Sequence, residues 1–246
     1  MRNDSIEKLN TNQEAVNPIT EGVIWKQLLL YFAPLLGASF LQLLYNTADT
    51  VIVGRFVGKT ALTAVGGSAG QIYAMVTEFM IGVSGGAGVI LSQAYGAKNE
   101  KLLDDGLHNA AALALALGAV FMTIGLIASG PVLRLAGAPS ETMKESVLYL
   151  RIVLCGLISN ALYNMGASVL RAVGDSKRPF RFLLFCSALN ITLDLLFVAG
   201  LGLGIGGAAL ATILSQTLSA GLVLRTLIRG TDRELMPCLD PRGLRL

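Results

Sequence analysis

The stretch AALALALGAVFMTIGLIA, residues 111–128, decides the class of fold. It contains no charged residue and lies inside an uncharged run, 106–133, that exceeds the ~20 residues a helix needs to cross a bilayer. Strands of a transmembrane barrel would instead alternate apolar and polar residues over ~10 positions, and this stretch does not alternate. We therefore predict an all-α integral membrane protein.

Comparable uncharged runs recur along the chain, at 27–48, 60–77, 79–97, 152–170 and 195–224. The overall balance agrees, since 53% of the residues are hydrophobic and only 14% are charged. Glycine, proline and charged clusters separate the runs. They predict a six-transmembrane-helix bundle within residues 23–230, with helices at 24–54, 61–97, 107–130, 142–170, 180–200 and 204–228.

The distribution of Lys and Arg predicts the orientation, because these residues accumulate in cytoplasmic loops. Most of them lie in the N-terminal segment, the second and fourth loops and the C-terminal tail, which share one side of a six-helix bundle. The other side carries only Arg55, Lys59, Arg134 and Lys144. We therefore expect a multi-pass protein of the plasma membrane. Both of its termini, including the polar tail 1–22, are expected to face the cytoplasm. No basic domain with interleaved aromatic residues is present, so nucleic acid is not an expected partner.

Three acids fall inside the predicted helices, namely Asp49, Glu78 and Asp194. A charge at the bilayer centre costs ~2.5–3.5 kcal/mol on insertion scales, so such residues point to function. For Glu78 two interpretations stay open: it lines a cavity, or it pairs with Arg151, the one base inside a predicted helix. The glycine-dense run GVSGGAG, 82–88, follows Glu78 and is expected either to bend its helix or to permit close packing.

Five polar side chains are predicted to share one depth, about 9–12 Å inside the outer ends of their helices at 1.5 Å per residue, with Asn190 one turn deeper. They come from four helices and are Asp49, Tyr149, Asn190, Asp194 and Thr212. Carboxylates, an amide and a hydroxyl are hard oxygen ligands, suited to Na⁺, and a buried carboxyl group can also carry a proton. The pattern predicts a shared cation site that couples an ion to movement.

Enzymatic chemistry is not expected. There is no phosphate-binding GxxxxGK[ST] loop, no histidine cluster and no nucleophile with a nearby base. We therefore expect no cofactor, and we expect the energy for any transport to come from an ion gradient.

Four stretches together resemble the multidrug and toxic compound extrusion (MATE) transporters, especially their bacterial and archaeal branch. They are LLYNTADTVIVGRFVG at 43–58, GAGVILSQAYGAKN at 86–99, VLRAVGDSKRP at 169–179 and LNITLDLLFVAGLGLGIGGAALATILSQ at 189–216. The resemblance implies a twelve-helix secondary transporter built from two six-helix bundles, with this chain as the N-terminal lobe. It implies export of amphipathic, often cationic compounds by antiport against Na⁺ or H⁺.

The resemblance also implies residue roles. Asp49, Asn190, Asp194 and Thr212 match the ion site of prokaryotic members, which makes them the positions for a coupling ion and for any bound Na⁺. Gln42 and Tyr149 match polar groups that line the same cavity. Residues 231–246 match the cytoplasmic linker that leads to the second bundle.

The chain has roughly half the length of a family member, so we expect a fragment of a longer protein, or else a half that works as a homodimer. Two other functions stay open. One is a flippase for lipid-linked sugars or cell-wall precursors, whose anionic cargo would favour a basic cavity. The other is a non-transporting membrane subunit, in which both aspartates could be replaced without effect.

Overall fold

The computed structural model describes residues 24–229, and within that range every regular element is helical. The predicted tail 1–22 and linker 231–246 lie outside the described residues. The α-helices are α1 Ile24–Phe56, α2 Lys59–Gly66, α3 Ser68–Gly96, α4 Glu100–Leu135, α5 Met143–Cys155, α6 Leu157–Ala172, α7 Lys177–Asp194 and α8 Gly204–Arg229. A short 3₁₀ turn, Ser140–Thr142, precedes α5, and a π-helical segment, Leu195–Gly200, continues α7.

Helix α4 contains the stretch that decided the fold class, and charged and polar residues stabilise both of its ends. The Asn99 side chain accepts a hydrogen bond from the Leu102 amide at 3.0 Å. Glu100 lies in the first turn and Arg134 in the last, where each charge opposes the helix dipole. The helix is 36 residues long and therefore extends beyond the predicted 107–130 at both ends.

Two predicted helices are each interrupted at a glycine. The predicted helix 61–97 still forms one membrane-crossing stretch, Lys59–Gly96, whereas the predicted helix 142–170 is corrected to a bent pair. Gly67 separates α2 from α3, and Gly156 separates α5 from α6 with a bend of 47°. Glycine is a poor helix residue because it retains more backbone freedom than any other. A Cβ at Gly67 would also overlap the Thr63 carbonyl oxygen, so this break accepts no side chain.

Four helical stretches of the described range are long and apolar enough to cross a membrane, and the bent pair α5–α6 makes up to five. The four are Lys59–Gly96, Glu100–Leu135, Lys177–Gly200 and Gly204–Arg229. Helix α1, at 33 residues, is not among them, so its crossing stays a prediction. The all-helical membrane architecture is confirmed.

Glycines bring the central helices into close contact. A Cβ at Gly88 of α3 would overlap the Ser168 hydroxyl of α6, and a Cβ at Gly166 of α6 would overlap the Val223 side chain of α8. Helix α3 runs unbroken through 82–88, so the glycine-dense run permits close packing at Gly88 and does not break the helix. Helix α6 therefore lies at the centre of the bundle, between α3 and α8.

Candidate functional site

Helix α1 supplies one wall of the site. Gln42, Tyr45 and Asp49 follow one another at helical spacing, so they share a face of α1. Asp49 is 8% exposed, although it lies in a helix whose surface is otherwise rich in exposed leucine and phenylalanine. The acid predicted at this position is therefore turned into the bundle.

Helix α7 supplies the second wall through Asn190 and Asp194, one helical turn apart. Asn190 is 2% exposed and Asp194 is fully buried. Asp194 is also the last α-helical residue, because the chain continues from Leu195 in π-helical geometry. Short π-helical segments inside helices frequently occur at functional sites, since the widened turn redirects the side chains beside it.

The buried acids are short of hydrogen bonds. Among the described residues, neither carboxylate oxygen of Asp194 has a partner, and Oδ1 of Asp49 has none. Both polar atoms of the Asn190 amide also lack one. Such buried groups are rare and costly in folded proteins, so each calls for an explanation. Two carboxylates and an amide with free oxygen lone pairs could accept hydrogen bonds or bind a cation.

Asp49 and Asp194 are near enough to interact electrostatically, although they come from different helices. Tyr149 on α5 interacts with both carboxylates and is itself only 5% exposed. The structure thus brings three of the five residues predicted at one depth into a single electrostatic cluster. Two like charges held together in a buried place repel each other, and a bound cation relieves that repulsion.

Two cavities lie beside this cluster, and Asp194 lines neither of them. The first, here called the Asp49 cavity, measures about 300 Å³. Its polar walls include Asp49, Asn46, Thr50, Gln71, Tyr73, Thr77, Glu78 and Tyr149. The second, the Asn190 cavity, measures about 290 Å³. Its polar walls include Asn190, Ser39, Tyr163, Asn164, Arg171, Ser187, Ser215 and Ser219.

Five side chains line both cavities and so form a polar partition between them, namely Gln42, Tyr45, Asn160, Thr212 and Gln216. A hydrogen bond between α3 and α8 fixes part of this partition. The Tyr73 hydroxyl lies 2.9 Å from Nε2 and 3.2 Å from Oε1 of Gln216. Of the seven predicted site residues, all but Asp194 therefore line at least one cavity, and Gln42 and Thr212 line both.

Thr212 donates its hydroxyl proton to the Ala208 carbonyl of its own helix at 3.1 Å. The lone pairs of its oxygen remain available on the side that faces the cavities. Thr212 therefore presents an acceptor, as a cation ligand must.

Sequence reasoning missed several members of the site, most clearly Asn160 and Asn164 of α6. The Asn164 amide donates to the carbonyl of Asn160 at 3.0 Å and to its side-chain oxygen at 2.9 Å. The stretch ISNALYNMG, 158–166, sets two asparagines one turn apart in a membrane helix, and that spacing was a usable signal. Tyr45, Tyr73 and Gln216 gave no comparable signal, because an uncharged polar residue is not in itself unusual in a membrane helix.

The structure separates the two interpretations of Glu78. Glu78 lines the Asp49 cavity. Arg151, its suggested partner, instead donates from Nε to the Ser129 hydroxyl at 3.0 Å, and no ion pair among the described residues joins it to Glu78. Of the two alternatives, the geometry supports the cavity-lining one.

Arg171 needs a correction. The sequence placed it in the fourth cytoplasmic loop, but the structure places it in the last turn of α6, where it lines the Asn190 cavity. The Tyr31 hydroxyl donates to its carbonyl oxygen at 3.0 Å. The loop begins later than predicted because α6 continues to Ala172.

The donor set suits a hard monovalent cation or a proton. Within residues 24–229 no group of three His, Cys, Asp or Glu side chains is placed to hold a metal ion. Two carboxylates, an amide and a hydroxyl are oxygen ligands of the kind that hard cations take.

The chain matches known transporters in sequence and in structure. A profile of the MatE family matches residues 34–196. The chain is 34% identical over 216 residues to the probable multidrug resistance protein YoeA of Bacillus subtilis, covering 86% of this chain and 46% of that protein. It is also 34% identical over 223 residues to the probable multidrug resistance protein YpnP of the same organism, covering 91% of this chain and 49% of that one.

A crystal structure of a MATE transporter in the bent conformation superposes with a TM-score of 0.81 at 27% identity, covering 94% of this chain and 49% of that one. This chain spans about half the length of the relatives it matches. The fold, the buried polar cluster and these matches agree. The chain belongs to the MATE family of membrane transporters.

Proposed function

We propose that this chain is the ion-coupling lobe of a secondary active transporter that exports amphipathic, often cationic compounds by antiport against Na⁺ or H⁺. The observation that carries the proposal is Asp194, a fully buried acid in a membrane helix with neither carboxylate oxygen hydrogen-bonded among the described residues. Relatives named as multidrug resistance proteins support the class of cargo.

Coupling follows from the two carboxylates. In the outward-open state a cation reaches Asp49 through the Asp49 cavity, and the repulsion between Asp49 and Asp194 makes its binding favourable. Asn190 and Thr212 complete the oxygen ligands for Na⁺, or one carboxylate takes a proton. The ion drives transport only because the two states of the protein bind it with different affinity.

Helix α1 is the element that the cation moves. It carries Asp49 and packs against α7, α8 and the π-helical segment that follows Asp194. It also contains Pro34, which removes one backbone hydrogen bond from the helix interior and lowers the cost of bending. Cation binding at Asp49 and Asp194 pulls α1 against the bundle, and the bend lowers the affinity for cargo.

The cargo binds between this bundle and a second one. In this proposal the second bundle is the C-terminal six-helix bundle of a longer chain. The alternative is a homodimer, in which a second copy of this chain supplies it. The protein is a multi-pass protein of the plasma membrane, with both ends of this segment in the cytoplasm, as the placement of Lys and Arg indicates.

One observation favours the second candidate, a flippase for anionic lipid-linked cargo. Arg171 lines the Asn190 cavity and offers a positive group to such cargo. Acids outnumber it in the two cavities, because Asp49 and Glu78 line the other one. The acidic cluster therefore favours cation-coupled export.

The test is efflux of a fluorescent cationic dye from cells that lack their own pumps. Asp194→Asn in the chain joined to its second bundle should abolish efflux while surface abundance stays normal. The matched control is Asp105→Asn, which neutralises an exposed acid of α4 and should leave efflux unchanged. Unchanged efflux in the Asp194 variant would refute the coupling role.

A further inference from the structure

An arginine lies on the outside of the bundle, away from the cavities. Arg151 of α5 is exposed, and its Nε donates to the Ser129 hydroxyl of α4 at 3.0 Å. Its two terminal nitrogens have no hydrogen-bond partner among residues 24–229. The remaining N–H groups of the guanidinium need hydrogen-bond partners, so water or another group outside the described residues meets them.

The level of this contact in the membrane is informative. Helix α4 has 36 residues and is therefore about 54 Å long, compared with the ~30 Å hydrocarbon core of a bilayer. A centred α4 would extend about 12 Å beyond the core at each end. Ser129 lies about 9 Å before the end of the helix at Leu135. For a centred α4 the Ser129–Arg151 contact would lie about 3 Å beyond the core, close to the boundary where lipid phosphates begin.

The surface around Arg151 matches a phospholipid. Along α5 the exposed residues Lys144, Leu148, Arg151 and Cys155 form one stripe. Within this stripe Leu148 is 50% exposed. An exposed apolar side chain therefore adjoins the cation, and Lys144 lies nearer the start of α5.

The same surface lies apart from the transport route, because α4 contributes no residue to the wall of either cavity. Glu145 is the one acid of α5, and no ion pair among residues 24–229 joins it to Arg151. No carboxylate of α5 therefore neutralises the guanidinium.

We propose that Arg151, oriented by Ser129, binds the phosphate of an anionic phospholipid between α4 and α5. The planar guanidinium presents its two terminal nitrogens as a fork that matches two phosphate oxygens. The hydrogen bond from Nε to the Ser129 hydroxyl holds the guanidinium plane so that the two terminal nitrogens face the lipid. Lys144 adds a second positive charge to the headgroup.

The test counts lipids. The protein is reconstituted in vesicles of equal parts phosphatidylglycerol and phosphatidylethanolamine, extracted gently, and examined by native mass spectrometry. The wild type should retain phosphatidylglycerol preferentially. Arg151→Gln should reduce that preference about fivefold, the effect expected for one basic residue at an anionic surface. Ser129→Ala keeps the charge but frees the guanidinium, and should give a smaller loss.

The matched control is Arg134→Gln, which removes a charge from the same end of α4 without affecting Ser129. It should change the preference less than Arg151→Gln does. An equal loss of phosphatidylglycerol preference in Arg134→Gln and Arg151→Gln would show that diffuse surface charge binds the lipid, and would overturn the site. An unchanged preference in both Arg151→Gln and Ser129→Ala would overturn it as well. Displacement of the lipid by inorganic phosphate would assign the site to a free anion and likewise overturn it.

Discussion

Asp194→Asn should raise the stability of the protein when the coupling cation is scarce and lower it, relative to wild type, when the cation is abundant. In the wild type the fully buried carboxylate has no hydrogen bond among the described residues. A charge in such a place costs ~2.5–3.5 kcal/mol on insertion scales, whereas an unpaired neutral polar group costs about 1–3 kcal/mol. The variant should therefore be more stable by about 1 kcal/mol, the difference between the middles of those ranges.

Added cation reverses the order. A ligand at 100 times its dissociation constant stabilises the protein that binds it by about 2.7 kcal/mol. Only the wild type gains this stabilisation, because the amide that replaces the carboxylate in the variant carries no charge to attract the ion.

The assay is thermal unfolding in detergent across a titration of Na⁺ at fixed pH and of H⁺ at fixed Na⁺. A change of 1 kcal/mol corresponds to about 2–4 °C in a protein of this size. Wild type and variant curves should therefore cross as the coupling cation is added. Asp105→Asn should follow the wild type within about 0.5 kcal/mol. Parallel curves for Asp194→Asn and wild type under both titrations would refute the reasoning.

Three further predictions concern packing, the partition and helix α1. Gly166→Ala should destabilise the protein by about 1–3 kcal/mol, because its new methyl group overlaps the Val223 side chain of α8. The control is Gly82→Ala, whose methyl group meets nothing within 4 Å and should not change the stability. Thermal unfolding of the two variants measures the difference. Tyr73→Phe and Gln216→Leu should each lower the free energy of unfolding by about 1 kcal/mol, because each removes the hydrogen bond between them. The double variant should lose less than the sum of the two, which a double-mutant cycle measures. Pro34→Ala should stabilise α1 as a straight helix and slow dye efflux without loss of surface abundance; efflux at the wild-type rate would argue against bending of α1.

The fold was largely predictable because membrane helices are recognised by their length and apolarity. The run around 111–128 needed no tertiary information, since a bilayer forces internal hydrogen bonding on any uncharged stretch of that length. The breaks at Gly67 and Gly156 were not predictable. Glycine is common in membrane helices, and only the neighbouring atoms determine whether one of them interrupts the helix.

The site was partly predictable for a similar reason. Asp49 and Asp194 stand out because a charge in an apolar helix is expensive. Tyr73 and Gln216 do not stand out, because a single amide or phenol in a membrane helix is common, and its role depends on which helix lies opposite. Asn160 could have been found from its spacing to Asn164. Arg171 was misplaced because a helix end in a basic, polar stretch cannot be located by hydropathy alone.

The central claim is that Asp194, with Asp49, receives the coupling cation. Infrared difference spectra of the purified protein, recorded as Na⁺ is added and separately as the pH is lowered, test it most directly, since they report on carboxyl groups whichever ion is used. We expect one of the two titrations to change a carboxyl band that is absent from the Asp194→Asn variant and kept in Asp105→Asn. The same cation-induced bands in the Asp194→Asn variant would contradict the claim.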